Sequence, residues 1–372
     1  MIGDKQTQRA GDNSQLMQAG TINVYTGIDE KRAREICAET YAVARRDFTE
    51  DAYACANERV QQLENSLLPK MQQIEGALSA FADPSFQILL ASAQKTAMAS
   101  EREADYDMLA ELLVCRVTKG QPRKNRAGIS RAVEIIDKID DDALCALTVV
   151  HAVNSVVPSS GLCTIGLKTL SDLFDALIYL DLPNGTDWID HLDILDAVRI
   201  NSVNSFKKLD DFYPNFLNGY TAVGICVDSD AYVSAVQLLK EAGLASTVLV
   251  PNEFLDGYVR IPVACKRMIG NLKVTRNVTI DGNVIRVEIP INEKEMSALN
   301  EVWNLYSTDA EMKKIVCSKF VREWNNYSSL SQLRMWWDSL SLAFDLTHVG
   351  TVLAHTNARR CDKMIPELPV TT

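Results

Sequence analysis

The sequence predicts a mainly α protein with a small β part, an α+β chain, and three features point there. Tyr53, Ala56, Val60, Leu63, Leu67, Met71, Ile74, Leu78 and Phe81 recur at steps of three and four, which lays one apolar stripe along a helix. Residues 143–167 carry no charged side chain, and a buried helix followed by a turn at Pro158 accounts for them. The run VTIDGNVIRVEI alternates about Asp281-Gly282, the strongest short-range signal for a β-hairpin.

In chain order, residues 1–28 form a leader unlike the rest. It has two glycine-led halves, beginning at Gly11 and Gly20, with Asp12-Asn13 as turn formers and Ile22, Val24 and Thr26 suited to an extended strand. A flexible tail fits this composition, and so does a short β arch that pairs with its copy in another subunit. In the arch, Leu16, Ile22, Val24 and Tyr25 are the candidate self-assembly residues.

Residues 29–120 are expected to form a helical hairpin or bundle. The first helix covers 29–46 and carries Ile36, Tyr41 and Val43. Thr49 is the N-cap of a second, of about 30 residues, which follows the stripe to Phe81 with a kink before Pro69. Asp83-Pro84 restarts a helix, with Pro at its first position. Leu89, Leu90, Ala93 and Ala97, then Met108, Leu109, Leu112 and Leu113, continue the pattern, and the short links imply antiparallel packing.

Next comes the one concentration of base. Arg116, Lys119, Arg123, Lys124, Arg126 and Arg131 share a stretch with Pro122 and two glycines. A solvated interdomain loop is the plain expectation; binding of a phosphate-bearing or protein partner is the functional one. The acids that follow, Asp137, Asp140, Asp141 and Asp142, are placed to neutralise it.

Residues 121–245 read as a helical, aspartate-rich middle domain. Asp187, Asp190, His191 and Asp193 invite a metal, but Ile189, Leu192 and Leu195 make this a solvated helix face. Asp228-Ser229-Asp230 caps a helix that Gly243 stops, and extended segments follow at 246–250 and 257–263. That order is the pattern of a winged helix, although its helix offers only Gln237, Lys240 and Glu241 as long polar side chains. Residues 246–372 then hold the winged-helix-like strands, the hairpin and C-terminal helices rich in tryptophan (Trp303, Trp324, Trp336 and Trp337). His348 and His355, seven apart, share a helix face and read as structural histidines.

Composition narrows the function. With 47% hydrophobic and 23% charged residues, wholesale disorder is excluded. Acidic residues outnumber basic ones 49 to 38, a net charge of -11, which disfavours a dedicated DNA binder. Nine scattered cysteines without a Cys-x-x-Cys pair fit reduced thiols, and the polar start is not read as a signal peptide, so a cytoplasmic location is expected. No phosphate-binding glycine loop, Gly-x-Ser-x-Gly or His-Glu-x-x-His is found, so neither a catalytic residue nor a cofactor or metal is assigned.

The first 150 residues resemble a family of uncharacterised bacterial proteins, through Gly11, Asp12, Asn13, Ser14, Tyr25, Gly27, Asp83, Pro84, Gln87 and Gln94. Thr26 departs from the family pattern by standing between Tyr25 and Gly27. Leu346-Thr347-His348-Val349-Gly350-Thr351-Val352-Leu353-Ala354 looks like the LTxxGxxLA segment of the same proteins, also seen in helical abortive-infection proteins. The resemblance implies a non-enzymatic bacterial component of anti-phage defence, a sensor or adaptor acting through protein–protein assembly. Its expected partners are a protein or phage component and further copies of itself. A winged-helix nucleic-acid regulator using Arg123, Lys124 and Arg126 is the alternative, and a membrane-acting effector exposing residues 143–167 is a third.

Overall fold

A computed structural model of the 372-residue chain describes residues 28–44, 49–119, 122–201, 203–280 and 283–367. Leu16, Ile22, Val24 and Tyr25, the assembly candidates, lie outside them.

Glu30–Ala44 (α1) comes first, and Thr49 stands at the N-cap of Glu50–Gln72 (α2), though without a side-chain capping bond. Ala56, Val60, Leu63, Leu67 and Met71 turn inward from α2 together, as their spacing predicts. The helix stops short of Phe81. Pro69 sits in its last turn, Gly76 takes a left-handed φ of 72°, and Phe81 packs from a separate 3-10 turn, Ala77–Ala82. Gly76 stands just before that turn, and a left-handed residue cannot carry the right-handed helix across, so one apolar stripe serves two elements. Asp83 then accepts a hydrogen bond from the Ser85 amide at 2.7 Å and starts Pro84–Ala99 (α3). Gln94 of α3 is buried, donating to the Cys37 carbonyl at 3.0 Å and accepting from Thr40 at 2.8 Å, which pins α3 to α1. Glu103–Lys119 (α4) packs along α2.

The remaining helices and strands follow in the order Arg123–Ile135 (α5), Asp141–Ser155 (α6), Cys163–Leu177 (α7), Asp187–Ile194 (α8), Val198–Asn201 (β1), Leu209–Phe216 (α9), Ile225–Cys226 (β2) and Asp230–Ala242 (α10). Then come Val250–Pro251 (β3), Tyr258–Arg260 (β4), Lys273–Ile280 (β5), Asn283–Pro290 (β6), Glu293–Asn304 (α11), Ala310–Trp324 (α12), Ser328–Asp338 (α13), Ala343–Leu346 (β7) and His348–Cys361 (α14). The protein is mainly α with a small β part. Its strands form three small antiparallel sheets, ordered β1-β7, β2-β4-β3 and β5-β6. The hairpin expected around Asp281-Gly282 is β5-β6, with Thr279 opposite Val284.

In α6, Ala143 to Val153 are all buried, so the first part of the uncharged run is interior, while Leu162 and Ile165 further along it are exposed. Among the described residues no helix is long and apolar enough to cross a membrane. Ser229 caps α10, and Gly243 stops it at φ 83°. The extended segments expected beyond it shrink to the short β3 and β4, because Ser246–Val248 coils into a 3-10 turn.

Two clusters of buried apolar side chains hold most of the interior. The larger runs from Ala33 to Ile365 and takes in Leu90, Val150, Phe174, Trp337 and Leu353. The smaller joins Ile225, Leu239, Ile269, Leu299 and Val302. Helix α14 returns to pack on α4, α5 and α6, placing the C-terminal segment against the N-terminal half.

Candidate functional site: the start of helix α5

The basic stretch is not a loop. Helix α4 runs to Lys119, and α5 begins at Arg123 and buries Asn125, Gly128, Ile129, Ala132, Val133 and Ile135. The first five of those positions fall at i, i+3, i+4, i+7 and i+8, a helical face that the density of charge obscured. The Lys119 side chain lies outside the described residues.

Tertiary structure divides the candidate cations. Arg116 donates to Ser85 Oγ at 2.9 Å and thereby serves the start of α3. Arg131 is neutralised by Asp196 at 3.1 Å and Glu134 at 3.4 Å. Hydrogen bonds from Arg199 and Arg131 outweigh burial and hold the Asp196 carboxyl below the usual carboxylate range. The side chains of Arg123, Lys124 and Arg126 make no hydrogen bond or ion pair among the described residues. The acids expected to neutralise them act elsewhere: Asp141 pairs with Arg102, and the Asp140 carboxylate lies 3.8 Å from His191 Nε2.

The position of these three cations matters. They occupy the first turn of α5, which has no acidic residue and no side-chain cap. A helix N-terminus carries a partial positive charge, so each cation costs about 0.3–1 kcal/mol there rather than contributing. The framework behind them is rigid. A Cβ at Gly128 would stand 2.2 Å from the His348 ring, so α5 and the start of α14 are in direct contact. Burial, and then the charge of Lys124, lower the His348 pKa.

Several buried polar groups were not legible beforehand. His355 does not act with His348. Its Nδ1 lies 3.1 Å from His151 Nε2, with the rings edge to face. The Ser155 hydroxyl beside them donates to the His151 carbonyl at 2.7 Å, which occupies it within its own helix. Burial, then the neighbouring His355, push His151 down to about 4. Its neutral form is therefore favoured by folding, and the associated stability is complete above the unfolded value of about 6.5. It is lost as pH falls from there toward 4. Urea denaturation across that window should show declining stability, and His151→Gln should flatten the decline; a flat wild-type profile would remove the assignment.

Elsewhere, burial raises the Cys37 thiol to about 12 and lifts Cys163 as well, which makes both poor nucleophiles. Among the described residues no group of three or more His, Cys, Asp or Glu side chains is arranged to hold a metal, and Asp187, Asp190 and Asp193 do not converge into one. Buried Arg260 and part-exposed Glu253 form an ion pair at 2.7 Å, signalled in the sequence only by an arginine within an apolar strand.

The LTxxGxxLA segment has a structural explanation. Thr347 Oγ1 caps α14 by accepting from the Gly350 amide at 3.1 Å and also donates to the Asp196 carbonyl at 2.6 Å. It joins β7 to α14.

Fold and surface together define a mainly α-helical protein that presents an uncompensated cationic helix start. A family model to which no function is attached matches residues 27–366, and the protein belongs to that family. No curated protein matches the chain, and no solved structure does.

Proposed function

We propose that the protein is a non-enzymatic adaptor or sensor that works by protein–protein assembly, with an acidic partner surface docking at the start of α5. The observation that carries this is the set of Arg123, Lys124 and Arg126, whose side chains lack counter-charges among the described residues on a helix turn whose dipole already repels them. An acidic partner removes that repulsion on docking. The likeness of residues 346–354 to a segment of abortive-infection proteins supports placing the assembly in bacterial anti-phage defence, and residues 1–28 are the segment through which copies associate.

Two measurements test it. Light scattering should give the full chain a mass above the 41.3 kDa of one copy, and deletion of residues 1–28 should return it to one copy. A single-copy mass for both overturns the assembly role. The triple variant Arg123→Glu, Lys124→Glu, Arg126→Glu should melt at or above the wild-type temperature, since acids suit a helix start, and lose protection of cells against phage; retained protection overturns the docking role.

Nucleic acid is the second candidate for the same cations. Helix α10 argues against it as a groove reader, since Lys240 is its one cation and only one helix lies between β2 and β3. Binding of a DNA or RNA oligonucleotide whose affinity falls steeply with salt would favour it over the protein partner.

A further inference from the structure

A cleft of about 660 Å³ lies between the end of α9, the 3-10 turn Lys266–Asn271 and α11. It is far from α5 in sequence and uses none of its cations. Two basic side chains, Lys266 and Arg267, and three carboxamides, Asn215, Asn218 and Asn300, line it. No Asp or Glu does, in a chain with 49 of them against 38 Lys and Arg. A wall without carboxylates in so acidic a protein is a local reversal of charge, and it selects for an anion.

The polar groups are positioned rather than merely present. Asn218 accepts from the Lys266 amide at 2.9 Å, which leaves its own amide Nδ2 without a hydrogen bond among the described residues. Asn215 and Asn300 donate to backbone carbonyls of their own helices at 2.7 and 2.9 Å, so their side-chain oxygens are left to accept. The Arg267 guanidinium stands 4.9 Å from the centre of the Phe216 ring and has no hydrogen bond or ion pair among the described residues. Phe216 is stacked on Phe212, with ring centres 5.2 Å apart. Beside the lining residues Asn218 and Cys265 the backbone is closely packed, because Gly219 donates to the Ala264 carbonyl and has no room for a Cβ, which would stand 2.1 Å from the Val263 carbonyl.

Size and chemistry set the ligand class. The volume exceeds what a bare ion needs and falls within the roughly 300–1,000 Å³ of small-molecule sites. An arginine with its donors unspent matches a phosphate, and the mixture of amide donor and acceptors matches a hydroxylated or base-bearing body. We propose that this cleft binds a small organic phosphate of about nucleotide size. Phe216 packs with the larger apolar cluster, whereas Ile269 belongs to the smaller, so an occupant touches both. That contact is where a sensor would register its ligand, a role that rests on the adaptor function; the binding itself does not.

Calorimetric titration of the full chain with AMP, ribose 5-phosphate, inorganic phosphate and adenosine tests the cleft. The two organic phosphates should bind. Inorganic phosphate should bind at least about tenfold more weakly, adenosine likewise, and Arg267→Glu should weaken AMP by a similar factor or more. Arg267 is exposed, whereas Lys266 is part-buried with its Nζ donating to Asn304 at 3.3 Å, so Arg267 is the cation left for a ligand, and Arg267→Gln provides a milder variant with which to check folding. The triple α5 variant should bind AMP as the wild type does, which separates failure of this site from failure of the docking surface. Absence of binding by both organic phosphates at millimolar concentration, or unchanged binding by Arg267→Glu, overturns the proposal.

Discussion

Replacing Arg260 with alanine is expected to destabilise the protein by about 1.5–3 kcal/mol, the loss of a charge-assisted hydrogen bond from a buried guanidinium to a part-exposed carboxylate. Arg260 is 1% exposed, the largest of the fully buried side chains. Its Nη2 donates to Glu253 at 2.7 Å, and its guanidinium lies 5.8 Å from the centre of the Tyr220 ring. Glu253 has a second duty, since its carboxylate accepts from the amides of Cys163 at 2.7 Å and Thr164 at 3.2 Å. It thus supplies the negative charge at the start of α7 that the helix itself lacks. Removing Arg260 leaves that carboxylate half-buried with one cation fewer, and it opens space beside Tyr220.

The pH dependence has a definite sign. Burial works to raise the Glu253 pKa, but the Cys163 and Thr164 amides and then Arg260 overcome it, so the folded value lies below the usual 4.5. A depressed carboxylate contributes stability that is complete above the unfolded value and is lost as pH falls through the folded one. Chemical denaturation should therefore show Arg260→Ala far less stable than wild type at neutral pH, with the difference narrowing below about pH 4.5. A loss of less than about 1 kcal/mol at neutral pH would mean that the pair does not hold these elements together.

Gly350→Val is the second large effect, at about 3 kcal/mol. A Cβ at Gly350 would stand 1.9 Å from the Ala197 carbonyl oxygen, a backbone atom with no rotamer by which to escape. The same carbonyl accepts from the Thr347 amide at 3.0 Å, so moving away would break the junction between β1 and the start of α14. Thr347→Ala is the graded comparison and should cost about 1 kcal/mol through loss of the cap. Urea midpoints for both variants provide the check. If Gly350→Ala unfolds with the wild type, then α14 does not approach β1 this closely.

What could be read from the chain follows the range of the interaction. The β5-β6 hairpin, the Asp83-Pro84 start of α3, the Ser229 cap and the Gly243 stop were all legible, because each depends on residues a few positions apart. The apolar stripe of α2 was legible for the same reason, yet its end was misplaced. Gly76 can continue a helix or leave it, and only the packing of Phe81 decides which. Helix α5 was obscured by six cations that look like solvated loop until their neighbours Ile129, Ala132 and Val133 are seen buried.

The candidate site shows the same division. Sequence located the basic stretch, but it did not reveal that Arg116 and Arg131 are committed within the fold while Arg123, Lys124 and Arg126 are not. It placed His348 and His355 on one helix, whereas the contact that matters for His355 is His151, 204 positions away. It was silent on the cleft, whose walls come from three separated segments.

The sequence by itself determined that this is a mainly α protein with one clear hairpin, an interior helix at residues 143–155 and one basic stretch. Periodicity, caps and turns act over a few residues and leave their mark in the order of the chain. Tertiary structure alone decided which charges are neutralised, which histidines meet and where a ligand-sized cleft opens. Those outcomes depend on distances between segments dozens to hundreds of residues apart, which the packing of the apolar faces sets and local spacing does not encode.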